Sequence, residues 1–584
     1  MSGELPDPYR RDAGTGVWSR PERAPFSYSD GDDSEDYLLR VMREEADRSC
    51  ASDGLPGRIV DWPSEYHLSP HRYNLLRPLQ VTPATRVLEI GAGCGALTRW
   101  LGERGARVLA LEGSARRAAI TAARCRDLPN VTVCAEDFQH FDAPGEFDLV
   151  TLVGVLEYAP VIFGGDDPVG RCLGMARTRL AAGGSLALAI ENRLGLKYFN
   201  GCSEDHTGRP FDSINDLYPP RACRTFGRRE LTQHLRRAGF TRIDGLYPFP
   251  DYKLPRCIVG DRALAEEDLD VGQIISQYPA RDYTGKGLRL FNEGLAWRSV
   301  AANGLVQDMA NSFLLIAGAS GAVPLDGDWL LSLFATDRRA CFRTHTRFAR
   351  APGGGIEVAK QRLHPRRDPV PGPLRFCDRG AQAYAPGERL SDGLAPLSFH
   401  ADAYARYLAY LRRYLEAVRG LAGEEGAGSV AGEFIDCIPP NLVNDGAGGF
   451  RFIDAEWAAD GRVAVGYMAF RAVIHDLARA GAFGTLFLFD GCADMGQFVR
   501  RVLGDLGMDA SLQAMDGHLR REAAILAQVN TPRPNAERHF EQLLRNQLST
   551  PPSQLLSTVM DPVALQAVLR DHHFGRYPPS PAPA

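Results

Sequence analysis

Twelve residues near the end of the first hundred constrain this chain most: Val87-Leu-Glu-Ile-Gly-Ala-Gly-Cys-Gly-Ala-Leu-Thr98. An apolar strand runs into a turn with glycine at every second position, and then into a helix. Gly91 and Gly93 let the backbone approach a ligand closely, and Gly95 opens the helix beside it. The dinucleotide fingerprint spaces its glycines as G-x-G-x-x-G, whereas here they fall as Gly91-x-Gly93-x-Gly95 with Glu89 ahead of them. Those differences favour a carboxylated, cationic nucleoside over a pyrophosphate.

The flanking segments set this turn in a doubly wound α/β pattern, with strand and helix signals alternating over residues 57–261. The expected strands are Arg86–Ile90, Arg107–Leu111, Val131–Ala135, Phe147–Val153 and Ser185–Ile190. Helices are expected at Gly95–Glu103, Asp167–Leu180 and Arg228–Ala238, the last with Thr225 as N-cap and Gly239 as the C′ residue. Residues 1–56 read as a loose polar leader followed by an amphipathic helix over Asp36–Asp47. Residues 262–328 read as a helical connector.

The second half changes character. Trp329–Leu363 alternates as a small antiparallel sheet, Ala401–Leu421 is a strong helix, and 433–457 reads as strand–loop–strand. Residues 329–510 thus form an α+β unit, and 511–584 are helices ending in a disordered Pro-rich tail at 577–584.

Composition removes several function classes. Lys plus Arg is 67 against 72 for Asp plus Glu, a net charge of −5, which argues against a nucleic-acid or anionic-membrane binder. No apolar run approaches the roughly 18 residues of a membrane span, and no signal-peptide core opens the chain, so a cytoplasmic location is expected. The 12 cysteines include no C-x-x-C pair, which excludes a zinc ribbon. Only four of the basic residues are lysines, Lys197, Lys253, Lys286 and Lys360, which marks them as places where a compact ammonium is needed.

The E-x-G-x-G-x-G pattern resembles motif I of class I S-adenosylmethionine-dependent methyltransferases, and later segments resemble the family's other motifs in order. The resemblance implies a Rossmann-like domain with a seven-stranded sheet. It implies a cofactor site of Glu89, Gly91, Gly93 and Gly95, with Glu112 on the ribose hydroxyls and Asp137 and Phe138 at the adenine. The run Phe147–Tyr158, which contains Gly154, resembles the fourth-strand motif, and 178–190 the turn into the fifth strand.

Methyl transfer from a sulfonium is an in-line displacement in which positioning supplies much of the acceleration. The acceptor side is expected in Glu191–His206. There His206 is the candidate base, Glu204 or Asp205 its orienter, and Glu191 a further catalytic carboxylate. Arg193, Lys197 and Tyr158 are candidate substrate contacts, although the two cations are equally able to pair with Glu191 or Asp205. Trp62–Arg72 reads either as a lid or as packing for the N-terminal helix, and Tyr247–Pro255 resembles a substrate-side hairpin.

A second constellation lies further on. Asp436, Asn441 and Asp454, with Ile356-Glu-Val-Ala-Lys360 upstream, resemble the catalytic loop, metal-binding residues and strand lysine of protein kinases and small-molecule phosphotransferases. The resemblance implies ATP and Mg²⁺, with Asn441 and Asp454 as metal ligands. It is degenerate: no glycine-rich loop lies between 330 and 350, and Phe434-Ile435 replaces the usual lead-in to Asp436. The combination resembles bacterial methyltransferase/kinase-like fusions of O-antigen synthesis. It implies a glycan or phosphoglycan acceptor in surface-polysaccharide biosynthesis, and glycosyltransferases of that pathway as partners. The alternatives are a bifunctional methyltransferase-kinase, or a natural-product methyltransferase whose C-terminal half is a scaffold.

Overall fold

The computed structural model describes residues 5–22, 31–142, 146–283, 289–318, 324–397, 400–423, 428–483, 489 and 491–552. A fourteen-stranded sheet runs through most of it. In chain order its strands are β1 (Arg10–Arg11), β2 (Trp18–Ser19), β3 (Arg86–Ile90), β4 (Arg107–Glu112), β5 (Val131–Ala135), β6 (Phe147–Val153) and β7 (Leu180–Glu191). They continue with β8 (Arg242–Phe249), β9 (Cys257–Gly260), β10 (Ser312–Gly318), β11 (Trp329–Ala335), β12 (Thr344–Arg350) and β13 (Ile356–Arg362). The short strand Ala381–Ala383 completes it.

The spatial order β5-β4-β3-β6-β7-β10-β8 is a seven-stranded unit, parallel from β5 to β7, with β10 antiparallel to both its neighbours. Its strands are runs of Val, Leu, Ile and Ala because helices cover both faces. Reversal of strand order beside β3 opens a crevice at the carboxyl ends of β3 and β6, the usual ligand position in such sheets.

Three expectations are corrected here. The connector 262–328 is not purely helical: Ser312–Gly318 is a fully buried strand inserted between β7 and β8. An unbroken apolar run buried on both faces shows no alternation, so its period does not identify it as strand. The leader is not loose throughout either. β1 and β2 form a hairpin, and β2 extends the sheet by pairing with β5, Trp18 opposite Cys134; backbone pairing at a sheet edge leaves little trace in side-chain pattern. Finally, the helix expected at Arg228–Ala238 runs Arg228–Arg237 from Gly227, whose N–H donates to Glu230 Oε2 at 2.9 Å. Thr225 is buried with its hydroxyl 2.6 Å from that of Tyr218, so it caps nothing.

The strands β11, β12 and β13 pair antiparallel, yet they do not form a separate sheet. β11 also pairs with β9, Leu331 opposite Val259, so the two halves share one continuous sheet. Behind it a second core gathers Ala403–Leu421, Val465–Phe483, Met495–Asp505 and Leu512–Val529 around Tyr407, Tyr414, Met468 and Phe498. The expected tail at 577–584 lies outside the described residues.

Candidate active site and a second cleft

A crevice of ≈ 870 Å³ opens where β3, β4, β6 and β7 end. Its floor is main chain. Gly91, Gly93 and Gly154 line it with φ of 76°, 60° and 69°, the left-handed region that side chains disfavour. A Cβ on Gly91 would lie 2.4 Å from Val155 Cγ2, so the turn closes only around glycine. Gly95 stands apart: it starts the helix Ala96–Glu103 at φ 75° and abuts Thr121 outside the crevice, so its role is packing rather than ligand contact.

Carboxylates ring this turn. Glu112, at the end of β4, accepts the N–H of Gly93 at 2.7 Å and that of Ser114 at 2.9 Å, which fixes it on the crevice wall. Glu89 is buried and accepts the Thr98 hydroxyl at 2.6 Å; burial pushes its pKa up to about 7, so a cationic ligand group beside it would be stabilising. Asp137 caps the next turn through the N–H of Gln139, and Phe138 lies against the same crevice. Trp62 and Tyr66, from the helix Trp62–Leu68, form part of the opposite wall, with the Tyr283 ring tilted 37° against that of Trp62 at 4.1 Å. The segment walls the crevice and also packs the N-terminal helix, where Leu68 clusters with Leu38, Val41 and Met42, so it meets both readings.

Beyond the cofactor end, the acceptor end is charged. Lys253 Nζ lies 2.5 Å from both Glu191 Oε1 and Asp205 Oδ1, and Lys197 Nζ 2.7 Å from Asp205 Oδ2. Although burial opposes it, these two ammonium groups hold Asp205 well below the usual carboxylate range, and Lys253 draws Glu191 down as well. Asp205 is thus a clamp for two lysines and does not orient His206. Glu204 does, through Oε1 at 3.1 Å from the ring Nδ1. Burial opposes protonation of His206, but Glu204, Glu191 and Glu157 lift its pKa to about 9. An imidazole raised in this way must give up its proton before it can serve as the base expected of it.

Two further expectations change. Arg193 does not reach the crevice; it pairs with Asp216 at 3.0 Å and Glu230 at 3.3 Å, tying a loop to the helix Arg228–Arg237. Lys197 lines the crevice but is buried and engaged by Asp205. Tyr158 does border it, edge-on to the His206 ring at 5.7 Å. Glu157, Tyr252 and Tyr283 join the wall and were not singled out from sequence, whereas Lys253, also on it, was marked there as one of four lysines. Glu157 carries the largest surprise: burial and the Glu191 charge push its pKa up to about 8. The scarcity of lysine and the hairpin-like segment Tyr247–Pro255 both pointed to Lys253.

The second constellation also converges. Lys360, Asp436, Asn441 and Asp454 line one cleft of ≈ 700 Å³ between β13 and the helices of the C-terminal half. Lys360 Nζ is bonded to Asp454 Oδ1 and lies 3.0 Å from Glu456 Oε2. Asn441 donates to the Asp436 carbonyl at 2.9 Å and approaches its carboxylate at 3.3 Å. Burial raises Asp436 to about 7, despite Arg471 nearby, and Asp454 sits at φ 60°.

The sheet is Rossmann-like, with a glycine turn at the end of its first central strand. Within it, residues 88–186 match the family model of a methyltransferase domain, spanning β3 to the start of β7. The ribosomal RNA small subunit methyltransferase A of Streptococcus pneumoniae is 44% identical over 63 residues, 11% of this chain. That match spans 22% of the curated relative's length. Among solved structures, a Mesorhizobium loti S-adenosylmethionine-dependent methyltransferase is 19% identical over 42% of this chain and 97% of its own, with TM-score 0.26. The phosphoethanolamine N-methyltransferase 2 of Haemonchus contortus, in complex with S-adenosylmethionine, is 17% identical over 42% and 51%, also with TM-score 0.26. Among the described residues no helix is long and apolar enough to cross a membrane.

Proposed function

We propose that the chain is an S-adenosylmethionine-dependent methyltransferase acting on an oxygen of a glycan or phosphoglycan precursor of a bacterial surface polysaccharide, in the cytoplasm. The observation that carries the cofactor reading is the open crevice over Gly91, Gly93 and Gly154, with Glu112 on its wall and Glu89 buried beneath. S-adenosylmethionine fits this donor set: its ammonium suits a carboxylate held at about 7, its ribose hydroxyls suit Glu112, and its adenine suits Asp137 and Phe138. When bound it supplies an activated methyl group. The chain's own part is to position the acceptor in line with it and to exclude water. The glycan acceptor is supported by the order of the two units and their resemblance to O-antigen fusions; glycosyltransferases are then the expected partners, with no role for nucleic acid.

Calorimetric titration of the full chain with S-adenosylmethionine tests the cofactor half: tight binding in the wild type, lost in Gly93→Asp. Mass spectrometry of surface polysaccharide from a deletion strain tests the acceptor half, and a polysaccharide unchanged in methylation would refute it.

A second reading is favoured by one observation, the meeting of Lys360, Asp436, Asn441 and Asp454 in a single cleft. This cleft is read as a site for ATP and Mg²⁺, with Lys360 toward phosphate, Asn441 and Asp454 toward the cation, and Asp436 as proton acceptor. A ligand entering it must displace Lys360 from Asp454. Thermal stabilisation by ATP with Mg²⁺ tests it; no shift at saturating nucleotide ends this reading.

A further inference from the structure

At the acceptor end of the first crevice, Glu157, Glu191 and His206 each offer one ligand atom, and the three atoms lie within 4.8 Å of one another. They come from three separate places: the turn after β6, the end of β7 and the loop that follows it. Convergence from different elements is what a built site requires and what chance pairing along a helix does not give.

The second observation is an unmet demand. Glu157 Oε2 and Glu191 Oε2 are buried without a hydrogen-bond partner, in residues that are each 1% exposed. Carboxylate oxygens removed from water in this way carry a large desolvation cost unless a cation or donor meets them. The neighbouring lysines do not meet it. Lys253 is engaged by Glu191 Oε1 and Asp205, and Lys197 by Asp205.

The imidazole is prepared for the same task. Glu204 is fixed by the N–H groups of His206 and Thr207, at 2.7 and 2.6 Å, and takes the ring Nδ1 at 3.1 Å. With Nδ1–H on a carboxylate, Nε2 is the atom that binds a cation once the cation displaces its proton, the orientation found behind metal-bound histidines. The cluster also touches the cofactor end: a Cβ on Gly154 would lie 3.6 Å from Glu157 Oε1.

We propose that Glu157, Glu191 and His206 hold a divalent cation of the Mg²⁺ or Mn²⁺ kind, which binds the acceptor oxygen and orients it toward the methyl group. This rests on the methyltransferase reading. Two carboxylates and an imidazole leave coordination positions for water and for an oxygen ligand, and oxygen-rich sets suit these hard cations. A hydroxyl acceptor gives its proton, as it binds the cation, to the Glu157 carboxylate oxygen that the cation leaves free. Its oxygen then forms the bond to the methyl carbon while the carbon–sulfur bond breaks and that electron pair stays on sulfur.

The test is Mn²⁺ titration of the full chain followed by electron paramagnetic resonance. An Asp454→Asn background keeps the second cleft from contributing, and S-adenosylmethionine affinity is measured calorimetrically on the same samples. Mn²⁺ is expected to bind, and to bind at least about tenfold more weakly in Glu157→Gln, whose Oε2 has no hydrogen-bond partner to lose. His206→Asn is the second variant, and Glu204→Gln should weaken binding about tenfold through the ring it positions. Absence of a bound-Mn²⁺ signal at millimolar metal, or equal affinity in wild type, Glu157→Gln and His206→Asn, overturns the proposal. Failure of S-adenosylmethionine to bind the wild type overturns the methyltransferase reading, and with it the role given to the cation, even where Mn²⁺ binds.

Discussion

In the first crevice the ligand-facing floor is backbone, with Gly91, Gly93 and Gly154 at positive φ and the N–H of Gly93 pinned to Glu112. In the second cleft it is side chains, with Lys360 locked to Asp454 and Glu456, and Asn441 leaning on Asp436. The first keeps two carboxylate oxygens unmet, whereas the lysine of the second has already found its counter-ions. A backbone floor fixes shape before any ligand arrives and tolerates no Cβ. A side-chain floor neutralises itself when empty, so its ligand must compete with an existing ion pair. Occupancy of the first is therefore limited by shape, and that of the second by charge.

The comparison breaks most readily at Gly93. A Cβ there would meet Arg117 Nη2 at 3.0 Å, at φ 60°, and the Asp carboxylate of Gly93→Asp would project into the crevice. S-adenosylmethionine affinity should fall by at least about a hundredfold, roughly 2.7 kcal/mol, by calorimetry. The response to nucleotide should stay intact; if it falls too, the clefts are not independent.

Asp454→Ala is the reciprocal experiment. It should abolish thermal stabilisation by ATP and Mg²⁺ while changing S-adenosylmethionine affinity less than twofold.

Next in size comes pH. His206 is raised from an ordinary 6.5 to about 9, so its charged form stabilises the fold. That contribution, at most about 3 kcal/mol, is complete below pH 6.5 and is lost as pH rises through 9. Urea unfolding should show a gap between wild type and His206→Asn at pH 6 that closes by pH 10. Asp436 is also raised, from 3.8 to about 7, so the cost of ionising it accrues in a lower window, between those values. Asp436→Asn should flatten the pH dependence there and leave the His206 window unchanged.

The smallest effect is expected at Arg193. Its partners Asp216 and Glu230 lie outside the crevice, so Arg193→Ala should cost about 1 kcal/mol or less in stability and change KM less than twofold. A large rise in KM would place Arg193 at the acceptor after all.

Much of the first unit was legible. Strand and turn from Val87 to Gly95 depend on contacts close in sequence, and the starts and ends of β3, β5 and β6 fall where short apolar runs bounded by turn residues placed them. β10 was not legible, because a strand buried on both faces shows no period. Glu157 was not, because its character comes from Glu191, 34 residues away, and from burial. Arg193 was misread for the same reason: a charged side chain's role is set by which counter-charges the fold brings near, and Asp216 and Glu230 were plausible neighbours of several cations.

Local order, then, belongs to the amino-acid sequence of this protein: the glycine turn, the parallel strands around it, and the placing of Glu89 and Glu112 beside a crevice. Tertiary structure alone decided that β9 and β11 would join the halves into one sheet, and that three ligand atoms from distant segments would meet within 4.8 Å. The reason is range. Backbone conformation and alternation act over a few residues, whereas burial and Coulomb interaction act through space, between groups whose separation along the chain says nothing of their distance.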